Sequence, residues 1–304
     1  MNMITGISYI EMRTRVWDEC REVYGRRLGL TELQNTTAVQ NEKGEWVDAA
    51  AGSGDREAVL QVGDSFLILR EDETAPVLLS PEGERTGQAY GSVGHWSFYV
   101  EGNHHAFSHL EGFFASNRFR ATKDGPIVQP MDHAYMQRSL LEFVDPSGYP
   151  IQISEIVDPR LSNQERRREK QRIANLSAGS LLKGFDHMAM ECPEIARGKE
   201  IYGDMLGLSV IDHSDSGTHE AYVFAAGMCD IELRGRIDGG NVDGLGRGVV
   251  GSFGLWTDDV DALARGIAHD APPAERDLAL GVPVRSITLD AGDGLPVEIA
   301  QRLS

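Results

Sequence analysis

Residues 184–208 read GFDHMAMECPEIARGKEIYGDMLGL. The first part reads as a strand that carries His187, Pro193 reads as a helix start, and Gly207 reads as the helix stop. The stretch occurs twice. Residues 6–30, GISYIEMRTRVWDECREVYGRRLGL, align with it without a gap. Gly6, Tyr24, Gly25 and Leu28-Gly29-Leu30 stand opposite Gly184, Tyr202, Gly203 and Leu206-Gly207-Leu208, at a constant offset of 178 residues. A repeat of this kind organises a chain before any single motif does. Tyr9 stands where the second copy has His187.

Outward from the first copy, residues 7–12 read as a strand and 16–28 as a helix, with Val16, Cys20, Val23, Tyr24 and Leu28 at helical spacing. A polar stretch containing Gly44 and Gly52 to Gly54 reads as a loop. Residues 58–62 and 65–70 are apolar runs around Gly63-Asp64, a hairpin signal. Residues 71–91, rich in Pro, Gly and Glu, read as an exposed loop. Residues 94–100 form a strand, 105–114 a helix, 119–121 a weak strand, and 139–144 and 150–156 two strands around the turn Asp145-Pro146-Ser147-Gly148. There Pro sets φ and Gly accepts a positive one. The second half repeats the plan with shorter loops. Its strands are 208–212, 219–225, 229–234, 251–256, 285–289 and 296–300, with a helix over 259–267. Residues 164–172, QERRREKQR, predict a solvated linker helix. The expected division is a first module over 1–157, a charged linker over 158–180 and a second module over 181–304.

A length of 304 residues suits two domains. The net charge of −18 argues against nucleic acid and anionic membranes, because phosphate contacts need clustered Lys and Arg. No apolar run is long enough to span a bilayer, and residues 1–6 lack the apolar core of a signal peptide. Three scattered cysteines, Cys20, Cys192 and Cys229, form neither a disulfide framework nor a zinc knuckle, and they read as buried thiols of a cytoplasmic protein.

Two doubled strand-helix-three-strand motifs, ending in "YGRRLGL" and "YGDMLGL" after the first helices and in "DPSGYPIQI" and "GDGLPVEI" at the last strands, resemble the vicinal oxygen chelate superfamily. That family includes glyoxalase I, methylmalonyl-CoA epimerase, extradiol ring-cleaving dioxygenases and bleomycin and fosfomycin resistance proteins. The resemblance covers almost the whole chain. It implies an α+β fold in which tandem βαβββ repeats form two modules with open, cup-shaped mixed sheets. It also implies four metal-ligand positions per cup, on its first, fourth, fifth and eighth strands. In this chain they are Tyr9, Ile68, His95 and Gln152 in the first half, and His187, Glu232, Ser252 and Glu298 in the second. If each half forms its own cup, only the second offers ligands: His187, Glu232 and Glu298. If the halves cross, one cup holds His187, Glu232, His95 and Gln152, and the other is nearly blank. Crossing sorts the ligand-capable residues better.

The implied cofactor is a divalent metal. Fe(II) is favoured, and Mn(II), Zn(II), Ni(II) and Co(II) also suit two imidazoles with a carboxylate. Each residue has an ordinary reading too. His187 and His95 could be structural, with Trp96 and Tyr99 packed around His95. Glu232 could pair with Arg234 or Arg285, since a buried carboxylate without a partner is costly. Glu298 could be half of a salt bridge. Glu232, His133 and Tyr9 are the candidates for proton handling, and Tyr135 for substrate contact. The segment around His133 and Tyr135 could equally be a surface loop. His104, His105 and His109 read as surface.

The leading functional expectation is an extradiol-type ring-cleaving dioxygenase acting on a small aromatic diol. The alternatives are a glyoxalase- or epimerase-like isomerase or lyase, in which Glu232 moves the proton, and a metal-free binding or resistance protein. The expected partners are a small oxygenated or aromatic substrate and a second copy of the chain in a homodimer.

Overall fold

The computed structural model describes residues 3–36, 38–40, 46–48, 56–79, 93–102, 106, 120–121, 127–128, 138–158, 160–165, 167–168, 181–236, 249–267, 271–278, 282–290 and 295–303. Strand β1 (Ile4–Thr14) leads into helix α1 (Trp17–Arg21), which continues as a π-helix over Glu22–Arg27. Then come β2 (Thr31–Asn35), a small hairpin of β3 (Ala38–Gln40) and β4 (Trp46–Asp48), β5 (Glu57–Val62) and β6 (Ser65–Glu71). The second motif of this half has β7 (Val93–Tyr99), the short β8 (Arg120–Ala121) and β9 (Ile127–Val128), β10 (Arg138–Val144) and β11 (Pro150–Ile156).

The second half opens with β12 (Gly184–Glu191) and α2 (Ile195–Lys199), which again continues as a π-helix over Glu200–Met205. It goes on through β13 (Ser209–Asp215), β14 (His219–Ala226), β15 (Cys229–Arg236) and β16 (Val250–Thr257). It closes with α3 (Val260–Gly266), β17 (Ala274–Asp277), β18 (Pro283–Asp290) and β19 (Pro296–Arg302).

The repeat extends to local detail. Both first helices widen at the same place: the Leu28 N–H reaches the Val23 carbonyl at 2.8 Å, and the Leu206 N–H reaches that of Ile201 at 2.9 Å. Both end at a glycine with positive φ, Gly29 (76°) and Gly207 (68°), which a residue with a Cβ would adopt only under strain.

The sheets cross between the halves. One runs β17-β18-β19-β16-β1-β6-β5-β2, and the other β13-β14-β15-β12-β7-β11-β10-β8. Each therefore joins the first motif of one half to the second motif of the other, through the antiparallel pairs β1–β16 and β12–β7. β1 and β12 lie centrally and are buried along nearly their whole length, as strands covered on both faces are. One continuous apolar core, including Ile7, Ile10, Trp17, Trp96, Phe98, Phe185, Tyr202 and Phe253, fills the space behind both sheets. Tyr24 from the first helix donates to the buried carboxylate of Asp145 at 2.9 Å, joining the two sheets through the turn before β11. That carboxylate also accepts from Ser147 and from the Tyr149 N–H, and burial pushes its pKa up to about 6.

Several sequence expectations shift. The second-half helix begins at Ile195, two residues after Pro193. β2 and β17 lie unannounced at the outer ends of one sheet, where four of five and all four residues are exposed and no apolar alternation remains to be read. Part of the polar stretch after β2 forms the β3–β4 hairpin. The start of the proline-rich segment is not a free loop, because Ala75 and Leu78 are buried. Residues 163–165 and 167–168 of the linker are helical and exposed. The helix expected over 105–114 lies outside the described residues except for Ala106. The three cysteines are buried, and no helix among the described residues is long and apolar enough to cross a membrane.

Candidate functional site

The crossed sheets sort the expected ligand positions into two unlike cups. His187 (β12), Glu232 (β15), His95 (β7) and Gln152 (β11) belong to one sheet. Register puts Ser97 between Gln152 and His187, and Ala189 between His95 and Glu232. Tyr9, Ile68, Ser252 and Glu298 belong to the other. Glu298, expected beside His187 and Glu232 only if each half formed its own cup, lies in the second cup.

In the first cup the two imidazoles meet edge to face, with Nε2 of His95 and Nε2 of His187 3.1 Å apart. Two ligand nitrogens each about 2.1 Å from one ion and near a right angle lie about 3 Å apart, so this spacing suits a chelating pair. Burial, with help from His187 and Arg234, lowers the His95 pKa to about 3 and keeps its ring neutral. His187 donates from Nδ1 to Asp186 Oδ2 at 2.8 Å. Neighbouring strand residues normally face opposite sides, but a register shift at Asp186 re-aims its side chain beside that of His187.

Arg138 binds both Asp186 (Nε to Oδ1, 3.0 Å) and Asp230. It comes from β10, which lies four strand spacings from β15. At about 4.8 Å per spacing a flat sheet would put the two beyond an arginine's reach, so the contact shows that the sheet curls into a half-barrel. Burial opposes the charge on Asp186, but Arg138 and His187 outweigh it and hold the carboxyl well below the usual range. Asp230 is raised by burial, with help from the neighbouring charge of Asp186, despite its bond to Arg138.

Glu232 is held by its neighbour on the strand: Arg234 donates from Nε and Nη2 to its two carboxylate oxygens, both at 2.9 Å. The alternative partner, Arg285, pairs with Asp261 instead. Burial raises the carboxyl of Glu191, two residues beyond Ala189. Gln152 donates to Glu142 at 2.8 Å, while its buried Oε1 has no hydrogen-bond partner among the described residues. Among the described residues, no three His, Cys, Asp or Glu side chains converge as a metal cage. The residues nonetheless fit a divalent ion in part: two converging imidazoles, an amide oxygen without a hydrogen bond among the described residues and a carboxylate turned toward Arg234.

The second cup has no such pair. Tyr9 donates to Glu298 at 2.9 Å and lies 3.4 Å from Ser252 Oγ. Arg276 donates to the same carboxylate from Nε at 2.8 Å. Tyr9, Val59, Phe66, Ile68, Trp256, Leu278, Val284 and Ala300 form an apolar cluster there. Gly254 makes room for it, since a Cβ would come within 2.5 Å of the Tyr9 ring. Tyr9 is thus buried in the opposite cup from the histidines, with its hydroxyl proton committed to Glu298 and its pKa raised by that burial.

His133 and Tyr135 lie outside the described residues, as do His104, His105 and His109. His213 and His219 are exposed and bond Glu220 and Thr218. Sequence reasoning missed Arg138, Asp186 and Asp230, and the only signal was the position of Asp186 beside His187.

No protein-family model matches the chain, and no curated protein matches it in sequence. Solved structures match it along its length. Glyoxalase I from Zea mays superposes with a TM-score of 0.57 at 13% identity, covering 97% of this chain and 92% of that one. A "putative dioxygenase" from Bacillus subtilis gives 0.60 at 17% identity, covering 100% and 87%. The chain shares the two-module, cup-forming fold of these two structures.

Proposed function

We propose that the chain is a metal-dependent enzyme of the vicinal oxygen chelate type, working in the cup of β7, β11, β12 and β15 on a small substrate with two neighbouring oxygens. The observation that carries this reading is the pair of Nε2 atoms of His95 and His187, 3.1 Å apart on adjacent strands. His95 and His187 would hold the ion, with Glu232 as the carboxylate and Gln152 Oε1 as a neutral donor. Two His and one carboxylate with open positions is the set of non-haem iron(II) oxygen chemistry, so the leading activity is extradiol-type cleavage of an aromatic diol. The metal would bind both substrate oxygens, and as iron(II) would bring a catecholate and dioxygen together.

A second reading, an isomerase or lyase that shifts a proton next to a carbonyl, is favoured by the position of Glu232 on β15 and by the raised carboxyl of Glu191 near it. In that reading Glu232 leaves Arg234 to take the substrate proton, and Glu191 can return one.

The test is to reconstitute anaerobic protein with Fe(II), Mn(II), Zn(II) or Ni(II), then measure oxygen uptake with catechols and hydroquinones. Iron-dependent uptake is expected. Proton exchange or isomerisation of an α-hydroxycarbonyl compound by nickel- or zinc-loaded protein, without oxygen uptake, would replace the leading reading with the second. A protein that binds none of these metals would overturn both.

A further inference from the structure

The two cups are built from one repeated plan, so each serves as a control for the other. By strand register, Asp186 corresponds to Ser8, Asp230 to Phe66 and Arg138 to Val284. The register shift that turns Asp186 inward recurs in β1 between Ile7 and Tyr9, around Ser8. The same half-barrel thus carries a buried ion triad at these positions in one cup, while in the other Phe66 and Val284 belong to an apolar cluster. Apolar packing of similar volume is generally as stabilising as buried ions or more so. The fold itself therefore does not require the triad. The triad stands in the cup with the two histidines, and its Asp186 touches one of them.

We propose that Asp186, clamped by Arg138 and through it by Asp230, is a positioning residue for His187. It fixes the ring's proton on Nδ1 and leaves the lone pair of Nε2 facing His95. His95 has no such anchor among the described residues, so the pair is unequal: His187 is the pinned imidazole and His95 the adjustable one. Carboxylates that accept from the far nitrogen of a ligand histidine raise its basicity and set its orientation, and their loss costs about 10- to 100-fold in metal affinity. The assignment deepens the proposed metal site and rests on His187 being a ligand, but the tautomer can be read without any metal.

The experiment compares the whole protein, Asp186→Asn, and the triple exchange Asp186→Ser, Asp230→Phe, Arg138→Val, which copies the sister cup. Each is labelled with nitrogen-15 at histidine. Long-range proton–nitrogen spectra of the metal-free proteins report the tautomer, with His187 assigned by its loss in His187→Gln. Manganese or zinc titration reports affinity. Wild type is expected to show His187 protonated on Nδ1 alone. Asp186→Asn, which keeps an acceptor oxygen, is expected to retain that signature. The triple exchange is expected to fold, to show a mixed tautomer, and to bind metal about 10- to 100-fold more weakly.

A triple exchange with the wild-type tautomer and affinity would overturn the proposal. So would one that fails to fold, because the ions would then serve the fold. A wild type with the pinned tautomer but no metal affinity would leave the positioning role standing and remove the proposed function instead.

Discussion

The two cups share strand order and register, and they differ in what lines them. Along equivalent positions, one carries Asp186, His187, Asp230, Glu232, His95, Gln152, Arg138 and Glu142. The other carries Ser8, Tyr9, Phe66, Ile68, Ser252, Glu298, Val284 and Thr288. The first is an array of ionisable and amide groups around two imidazoles. The second combines an apolar cluster with the Tyr9–Glu298–Arg276 chain and an ion network of Glu11 with Arg13 and Arg70, and has no imidazole at the equivalent positions. Duplicated cups can both close their half-barrels, and one of them needs no charge triad to do so. The polar lining of the other is therefore where chemistry is to be sought.

The sharpest way to break the comparison is to remove the arginine of each cup. Arg138→Met strands two buried carboxylates, and its expected cost is about 3–5 kcal/mol in denaturant unfolding. Arg276→Met in the sister cup removes a side chain 44% exposed to solvent, and its expected cost is smaller, on the order of 1–2 kcal/mol. Equal losses would mean that the cups are held in the same way.

A middling effect concerns the bond that joins the two sheets, Tyr24 to Asp145. The folded carboxyl of Asp145 titrates near 6, above the value of about 4 for an unfolded aspartate. Its contribution to stability is thus fully present below about pH 4 and is lost as pH rises through about 6. The stability of wild type relative to Asp145→Asn should fall by ~2 kcal/mol between pH 4 and 7. A flat difference would show that the carboxyl is not desolvated as described.

The smallest effect sharpens the account of Glu232. Arg234→Gln frees that carboxylate, so metal affinity should rise roughly two- to fivefold, the worth of a partly exposed ion pair. A fall in affinity, seen by calorimetric titration, would mean that Arg234 supports the site rather than competing for it.

Much of this contrast was legible in the sequence. The 25-residue repeat fixed the plan of each half, and the uneven spread of His95, His187 and Glu232 over its positions made crossed sheets the better sorting. The partnership of Glu232 with Arg234 was readable from their spacing of two on a strand. The triad was not. Alternation assigns Asp186 to the face opposite His187, and only the bulge reverses this. Arg138 lies 48 residues before Asp186 in sequence, on a strand that meets it only across the curled cup. The outer strands β2 and β17 were unreadable because their exposed residues carry no apolar period.

The central claim, one metal-binding cup beside one that lacks the histidine pair, is tested most directly by metal content after anaerobic purification and reconstitution. The proteins to compare are wild type, His187→Ala, His95→Ala, and the double exchange Tyr9→Phe with Glu298→Gln. The account predicts about one divalent ion per chain in wild type and in the sister-cup variant, and none in either histidine variant. Metal retained in His95→Ala but lost in the Tyr9–Glu298 variant would contradict it.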